Sequence, residues 1–137
     1  NEIASTLAKL GETHGELGDR FQQCQFLKMS LTMYVKVCSP DSEERGAALT
    51  QYCEAHQSLT ASNPKQSCEL LEATLQEGCF ASNNEFTAIT MMLLAAAHGA
   101  MGNKKRRSEL YEKVCAKCRW RELYEKVFAL CRWETSS

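Results

Sequence analysis

The apolar positions of this chain fall at helical spacing almost from its first residue. Ile3, Leu7, Leu10, Gly11, His14 and Leu17 share one stripe at intervals of three and four, which predicts an amphipathic helix turned inward along that stripe. Gly18-Asp19 stops the helix and turns the chain. A second helix is predicted from about Arg20 to Val37, with Phe21, Cys24, Leu27 and Leu31 facing inward. Ser39-Pro40-Asp41-Ser42 closes this pair, and Ser42 followed by Glu43 and Glu44 suits the start of another helix.

The pattern then returns. The three histidines, His14, His56 and His98, are each 42 residues from the next. Leu10, Tyr52 and Leu94 match in that register, as do Gly11, Cys53 and Ala95, and Leu17, Leu59 and Met101. Gly18-Asp19 reappears as Gly102-Asn103. The middle unit carries Thr60-Ala-Ser-Asn-Pro64 there instead, and its next helix aligns two residues late, so that Cys24, Leu27 and Leu31 correspond to Cys68, Leu71 and Leu75. The shift is absorbed before Asn83. A turn is where a helical hairpin tolerates an insertion most easily. The predicted organisation is a single repeat domain with units at about 2–41, 42–82 and 83–119. A closing helix at 120–133 and a disordered tail at 134–137 follow.

These residues carry a resemblance. Leu10-Gly-Glu-Thr-His-Gly-Glu-Leu-Gly-Asp19 and Leu94-Ala-Ala-Ala-His-Gly-Ala-Met-Gly-Asn103, each followed by an amphipathic helix, resemble tetratricopeptide repeats. The spacing and the Pro40-Asp41 linker are similar to the long, 42-residue form found in kinesin light chains. The resemblance spans residues 3 to about 118 and is weakest in the middle unit. It implies an all-α fold, a right-handed α-solenoid of three helical hairpins with a C-terminal capping or extended helix. It also implies a concave groove lined by the first helices, which holds a partner's peptide or helix. In this sequence the groove positions are Ser5, Ala8, Glu12 and Glu16, then Thr50, Glu54 and Gln57, then Ile89, Met92, Ala96 and Gly99.

The phrase ELYEKVCAKCRW, Glu109 to Trp120, recurs almost unchanged as ELYEKVFALCRW at Glu122 to Trp133. In register the first copy is the second helix of the third unit. Thirteen residues at about 100° each rotate the pattern by roughly 220°, so on one continuous helix the two copies face different ways. Either the helix runs on, or it bends near Arg119 to Arg121 and the copy packs as a closing helix. A repeat array needs an atypical end to cover its last apolar face.

Composition narrows the function classes. A net charge of −1 supplies no general drive toward nucleic acid or an anionic membrane surface. No apolar run is long enough to span a bilayer, and no signal-peptide pattern is present. The first residue is Asn1 rather than Met, which suggests a processed product or part of something longer. Of the eight cysteines nearly all lie within helical patterns, where a free thiol behaves as a small buried hydrophobe. Reduced cysteines inside a cell, in the cytosol or an organelle interior after removal of a targeting segment, are therefore expected, with no intrachain disulfide.

Candidate chemistry is sparse. Cys115 and Cys118 are neighbours on a helix, but a structural zinc needs two more ligands and only Cys131 is a plausible third. A thioredoxin-like site needs a strand beside the pair, and none is predicted. The histidines recur without a nucleophile, an acid partner or a glycine-rich phosphate loop. The expectation is a non-enzyme with no cofactor and no metal. Its leading role is a scaffold or adaptor for a protein partner, and the alternative is a permanent accessory subunit of a large assembly.

Three features bear on partners. Lys104, Lys105, Arg106 and Arg107 form one sharp cationic run, a solvated face, a contact for an acidic partner or a localisation signal. Glu12, Glu16 and Glu54 with Lys9 alone would repel the terminal carboxylate that chaperone-docking relatives in this family bind, so no such peptide is expected. The segment Phe86 to Met101 is apolar nearly all round. Its face at Ile89, Met92 and Ala96 is expected to remain open until a partner covers it.

Overall fold

A computed structural model describes residues 2–39, 41–78 and 84–117. Six helices lie among them and no strand: α1 (Glu2–Glu16), α2 (Arg20–Val37), α3 (Glu43–Ser62), α4 (Pro64–Glu77), α5 (Asn84–Ala100) and α6 (Lys104–Lys117). The fold is all-helical and successive helices pack on one another, α1 on α2, α4 on α5 and α5 on α6. The chain divides into two compact units, residues 1–59 and 60–137. The closing helix expected at 120–133, the tail, Cys79, Cys118 and Cys131 lie outside the described residues.

The first and last reversals are the same structure. After α1 the N–H of Gly18 donates to Gly15 C=O at 3.0 Å and that of Asp19 to His14 C=O at 2.8 Å. After α5 the N–H of Gly102 donates to Gly99 C=O at 3.0 Å and that of Asn103 to His98 C=O at 2.9 Å. Both are Schellman ends, which need a left-handed residue. Gly18 and Gly102 supply it with φ of +86° and +82°, and no neighbouring atom would obstruct a Cβ, so conformation alone selects glycine there. The next residue caps the following helix. Asp19 Oδ1 accepts from Gln22 N–H at 3.1 Å, and Asn103 Oδ1 accepts from Arg106 N–H at 3.2 Å.

The link between α3 and α4 is built differently. α3 is 20 residues long against 15 for α1, and Asn63 then caps α4 by accepting from Gln66 N–H at 3.1 Å. Pro64 occupies the first turn of α4, where a missing N–H costs nothing. The cap is therefore retained while the glycine turn is replaced. Ser42 starts α3 as expected, its Oγ accepting from Arg45 N–H at 3.3 Å.

In the first unit, α1 turns Ala4 and Gly11 onto α2. A Cβ on Gly11 would sit 3.1 Å from Leu27 Cγ and 3.3 Å from Gln23 C=O, so the two helices approach closely at this point. Ser30 Oγ donates to Ala4 C=O at 2.7 Å across the same contact. The inward stripe expected on α1 is only partly inward. Ile3, Leu10 and Leu17 are 61, 41 and 76% exposed. Spacing of seven puts all three on one line about 100° round the helix from Gly11, away from the α2 contact.

In the second unit α5 is the centre. Phe86, Ala88, Ile89, Met92, Leu93, Leu94, Ala95 and Ala97 are all buried. Both α4 and α6 pack on this helix, which explains why it has no polar face. Leu70 and Leu71 of α4 and Leu110 and Val114 of α6 complete the core.

Candidate interaction site

The positions expected to line a groove fall into two groups. On α1, Ser5 and Ala8 are half-buried and Glu12 and Glu16 exposed; on α3, Thr50 and Gln57 are half-buried and Glu54 exposed. These belong to one compact unit and are tied together, because Gln51 Nε2 donates to Glu12 Oε1 at 3.2 Å. The bond fixes one edge of an accessible face carrying three carboxylates and no described cation among the expected positions. Beside Ser5 an open depression is lined by Glu2, Ser5, Thr6, Lys9, Tyr34 and Glu44. Sequence reading missed Tyr34 and Glu44, which come from α2 and the start of α3 and share no periodic relation with Ser5.

The other group does not form an open surface. Ile89 and Met92 are 1% and 0% exposed, and Ala96 and Gly99 are half-buried. The expectation that Ile89 and Met92 stay uncovered is corrected by this burial. The sequence shows that α5 is apolar all round, but the extent of its cover by α4 and α6 depends on tertiary packing.

The cationic run is divided by its own helix. Lys104 and Lys105 are exposed, whereas Arg106 Nη1 lies 3.8 Å from Glu109 Oε1. Arg107 folds back along α5, where a Cβ on Gly99 would meet its Cδ at 2.8 Å. Two of the four charges thus face solvent without a described ion pair, at a helix start whose dipole disfavours them.

The three histidines, equivalent in sequence, have three different settings. His14 stacks on Phe26 with ring centroids 5.2 Å apart. His56 meets Tyr52 edge-on at 4.9 Å. His98 Nε2 lies 3.5 Å from Glu72 Oε1, close enough for an ion pair although no hydrogen bond is formed. Burial, reinforced by the Lys28 charge, lowers the His56 pKa to about 3 and keeps that ring neutral.

The described cysteines, Cys24, Cys38, Cys53, Cys68 and Cys115, are unbonded. Burial pushes the Cys24 thiol up to about 12. Burial together with Glu72 and Glu69 pushes Cys68 up to about 11. Neither is a thiolate at neutral pH, and the thiolate is the reactive form. Among the described residues no group of three or more His, Cys, Asp or Glu side chains is arranged to hold a metal ion. No described helix is long and apolar enough to cross a membrane. Comparison with protein-family models, with curated proteins and with solved structures gives no match for this chain.

Proposed function

We propose that this chain is a helical-repeat protein of tetratricopeptide type, a short solenoid of three hairpins that works as a non-catalytic scaffold. The paired Schellman turns and the common cap position at Asp19, Asn63 and Asn103 support the repeat reading. The partner segment lies on the α1–α3 face. The observation that carries this is the accessible carboxylate set Glu12, Glu16 and Glu54, of which Glu12 accepts a hydrogen bond from Gln51 on α3. Such a face favours a basic peptide or helix and disfavours an acidic C-terminal tail.

Titration calorimetry at low salt tests this with a lysine- and arginine-rich peptide and an acidic peptide of equal length. The expected result is binding of the basic peptide alone, weakened at least tenfold by Glu12→Lys with Glu54→Lys. Equal binding by that variant, or preference for the acidic peptide, overturns the reading. The second reading, a permanent subunit of a larger assembly, draws on the exposed line Ile3, Leu10 and Leu17, since apolar surface of this kind suits an obligate contact.

A further inference from the structure

The cationic run at the start of α6 ends on a serine. Lys104, Lys105, Arg106 and Arg107 precede Ser108, which places Lys105 three and Arg106 two residues before this hydroxyl. No other serine or threonine of the chain has basic residues at both places. Arginine-directed protein kinases select substrates by such a pair, because carboxylates of the kinase face the residues two and three before the acceptor.

The setting of Ser108 suits that use. Ser108, Lys104, Lys105 and Glu109 are exposed, and Arg106 and Arg107 are half-buried. The first buried side chain of α6 is Leu110. A kinase reads an extended segment, so the first turn of the helix has to open. That opening gives up the cap, in which Arg106 N–H donates to Asn103 Oδ1 and Arg107 N–H to Asn103 C=O, each at 3.2 Å. It uncovers no core side chain. Four cations beside a helix start oppose the helix dipole and lower the cost further.

We propose that Ser108 is a phosphorylation site for an arginine-directed kinase that uses ATP. The serine Oγ attacks the γ-phosphorus, and the bond from that phosphorus to the oxygen bridging it to the β-phosphate breaks. The electron pair of that bond leaves with ADP, and the hydroxyl proton passes to the catalytic aspartate of the kinase. Once α6 re-forms, Lys104 and Lys105 lie four and three residues before the phosphate, on its side of the helix. Both are exposed with no described ion pair, so their ammonium groups can donate to its oxygens. Glu112, four residues after, is the carboxylate that opposes this. A phosphate charge of about −2 complements the helix dipole and offsets about half of the cationic run. The modification thus weakens this surface as a contact for acidic partners. It lies in the second compact unit and does not depend on the carboxylate face of the first.

The test treats the whole folded chain with cyclic-AMP-dependent protein kinase, ATP and Mg²⁺, and tandem mass spectrometry locates the product. One phosphate on Ser108 is expected, and none on Ser108→Ala. Incorporation into Arg106→Gln should be at least about tenfold slower. Neither residue is buried, so both variants should keep their helical circular dichroism. No phosphate on the folded chain overturns the proposal, even where a peptide of residues 102–113 accepts one, since α6 then holds the hydroxyl closed. Incorporation only at another position overturns it too. Phosphorus NMR of the product reads the pairing with lysine. The second ionisation of the phosphate should fall below about 6 and rise again in Lys104→Gln. A phosphate that titrates identically in the two chains overturns that pairing.

Discussion

A Cβ placed on Gly15 would lie 2.7 Å from Gln23 Cδ, so the glutamine side chain of α2 occupies the space that glycine leaves on α1. The same relation recurs 84 residues later, where Arg107 occupies the space beside Gly99. In the middle repeat the two register positions are inverted in size, with Gln57 on the first helix and Ser67 on the second. Gly15→Gln alone should destabilise by about 1–2 kcal/mol, the cost of overpacking. Gly15→Gln with Gln23→Ser should recover most of that loss. Urea unfolding of the double-mutant cycle checks it, and additive effects would show that the two positions are independent.

Gly18→Ala and Gly102→Ala should each cost about 1–2 kcal/mol, because the penalty arises from positive φ and not from crowding. Asparagine at either place should cost less than alanine, since its side chain tolerates the left-handed region. Thermal melts of the four variants provide the comparison.

Folding keeps His56 neutral, and this makes stability depend on pH. The unfolded ring titrates near 6.5 and the folded one at about 3, so the unfolded chain binds more protons between those values. The contribution is complete above about pH 6.5 and is lost as pH falls toward 3. Denaturant midpoints should fall from pH 7 to pH 5, before most carboxylates titrate. His56→Phe should flatten that slope, and an unchanged slope would place its origin elsewhere.

Met92→Glu should unfold the second unit or lower its melting temperature sharply. The side chain is fully buried, and an isolated charge there costs several kcal/mol. Circular dichroism distinguishes this from the loss of a surface contact, which would leave the melt unchanged.

Cys115 is exposed, whereas the Cys24 and Cys68 thiols are buried or raised well above neutrality. At pH 8 a maleimide should modify Cys115 promptly, and Cys24 and Cys68 only in denaturant. Peptide mapping by mass spectrometry reads the order.

The helix boundaries and the outer turns were legible because each is set by local chemistry. A glycine able to take positive φ, followed by a capping Asp19 or Asn103, specifies its turn without outside help. Burial was less legible. The same apolar periodicity places Leu10 at the surface and Leu94 in the core, since periodicity identifies a face and not its cover. For that reason Ile89 and Met92, groove positions by register, are buried. The Gly15–Gln23 and Gly99–Arg107 fits were invisible as well, because each joins residues on two different helices. The Glu12–Gln51 bond crosses 39 residues, and no local pattern announces it.

The twin turns also bear on how the chain reaches this structure. Each reversal brings together segments only a few residues apart, so little loop-closure entropy opposes it. Gly18-Asp19 lies near one end of the chain and Gly102-Asn103 well into the other half. The expected order of folding has two separate nuclei, α1 with α2 and α5 with α6, one in each compact unit. Substitutions at either turn should slow refolding, while changes at the Asn63-Pro64 link should act chiefly on the rate of unfolding.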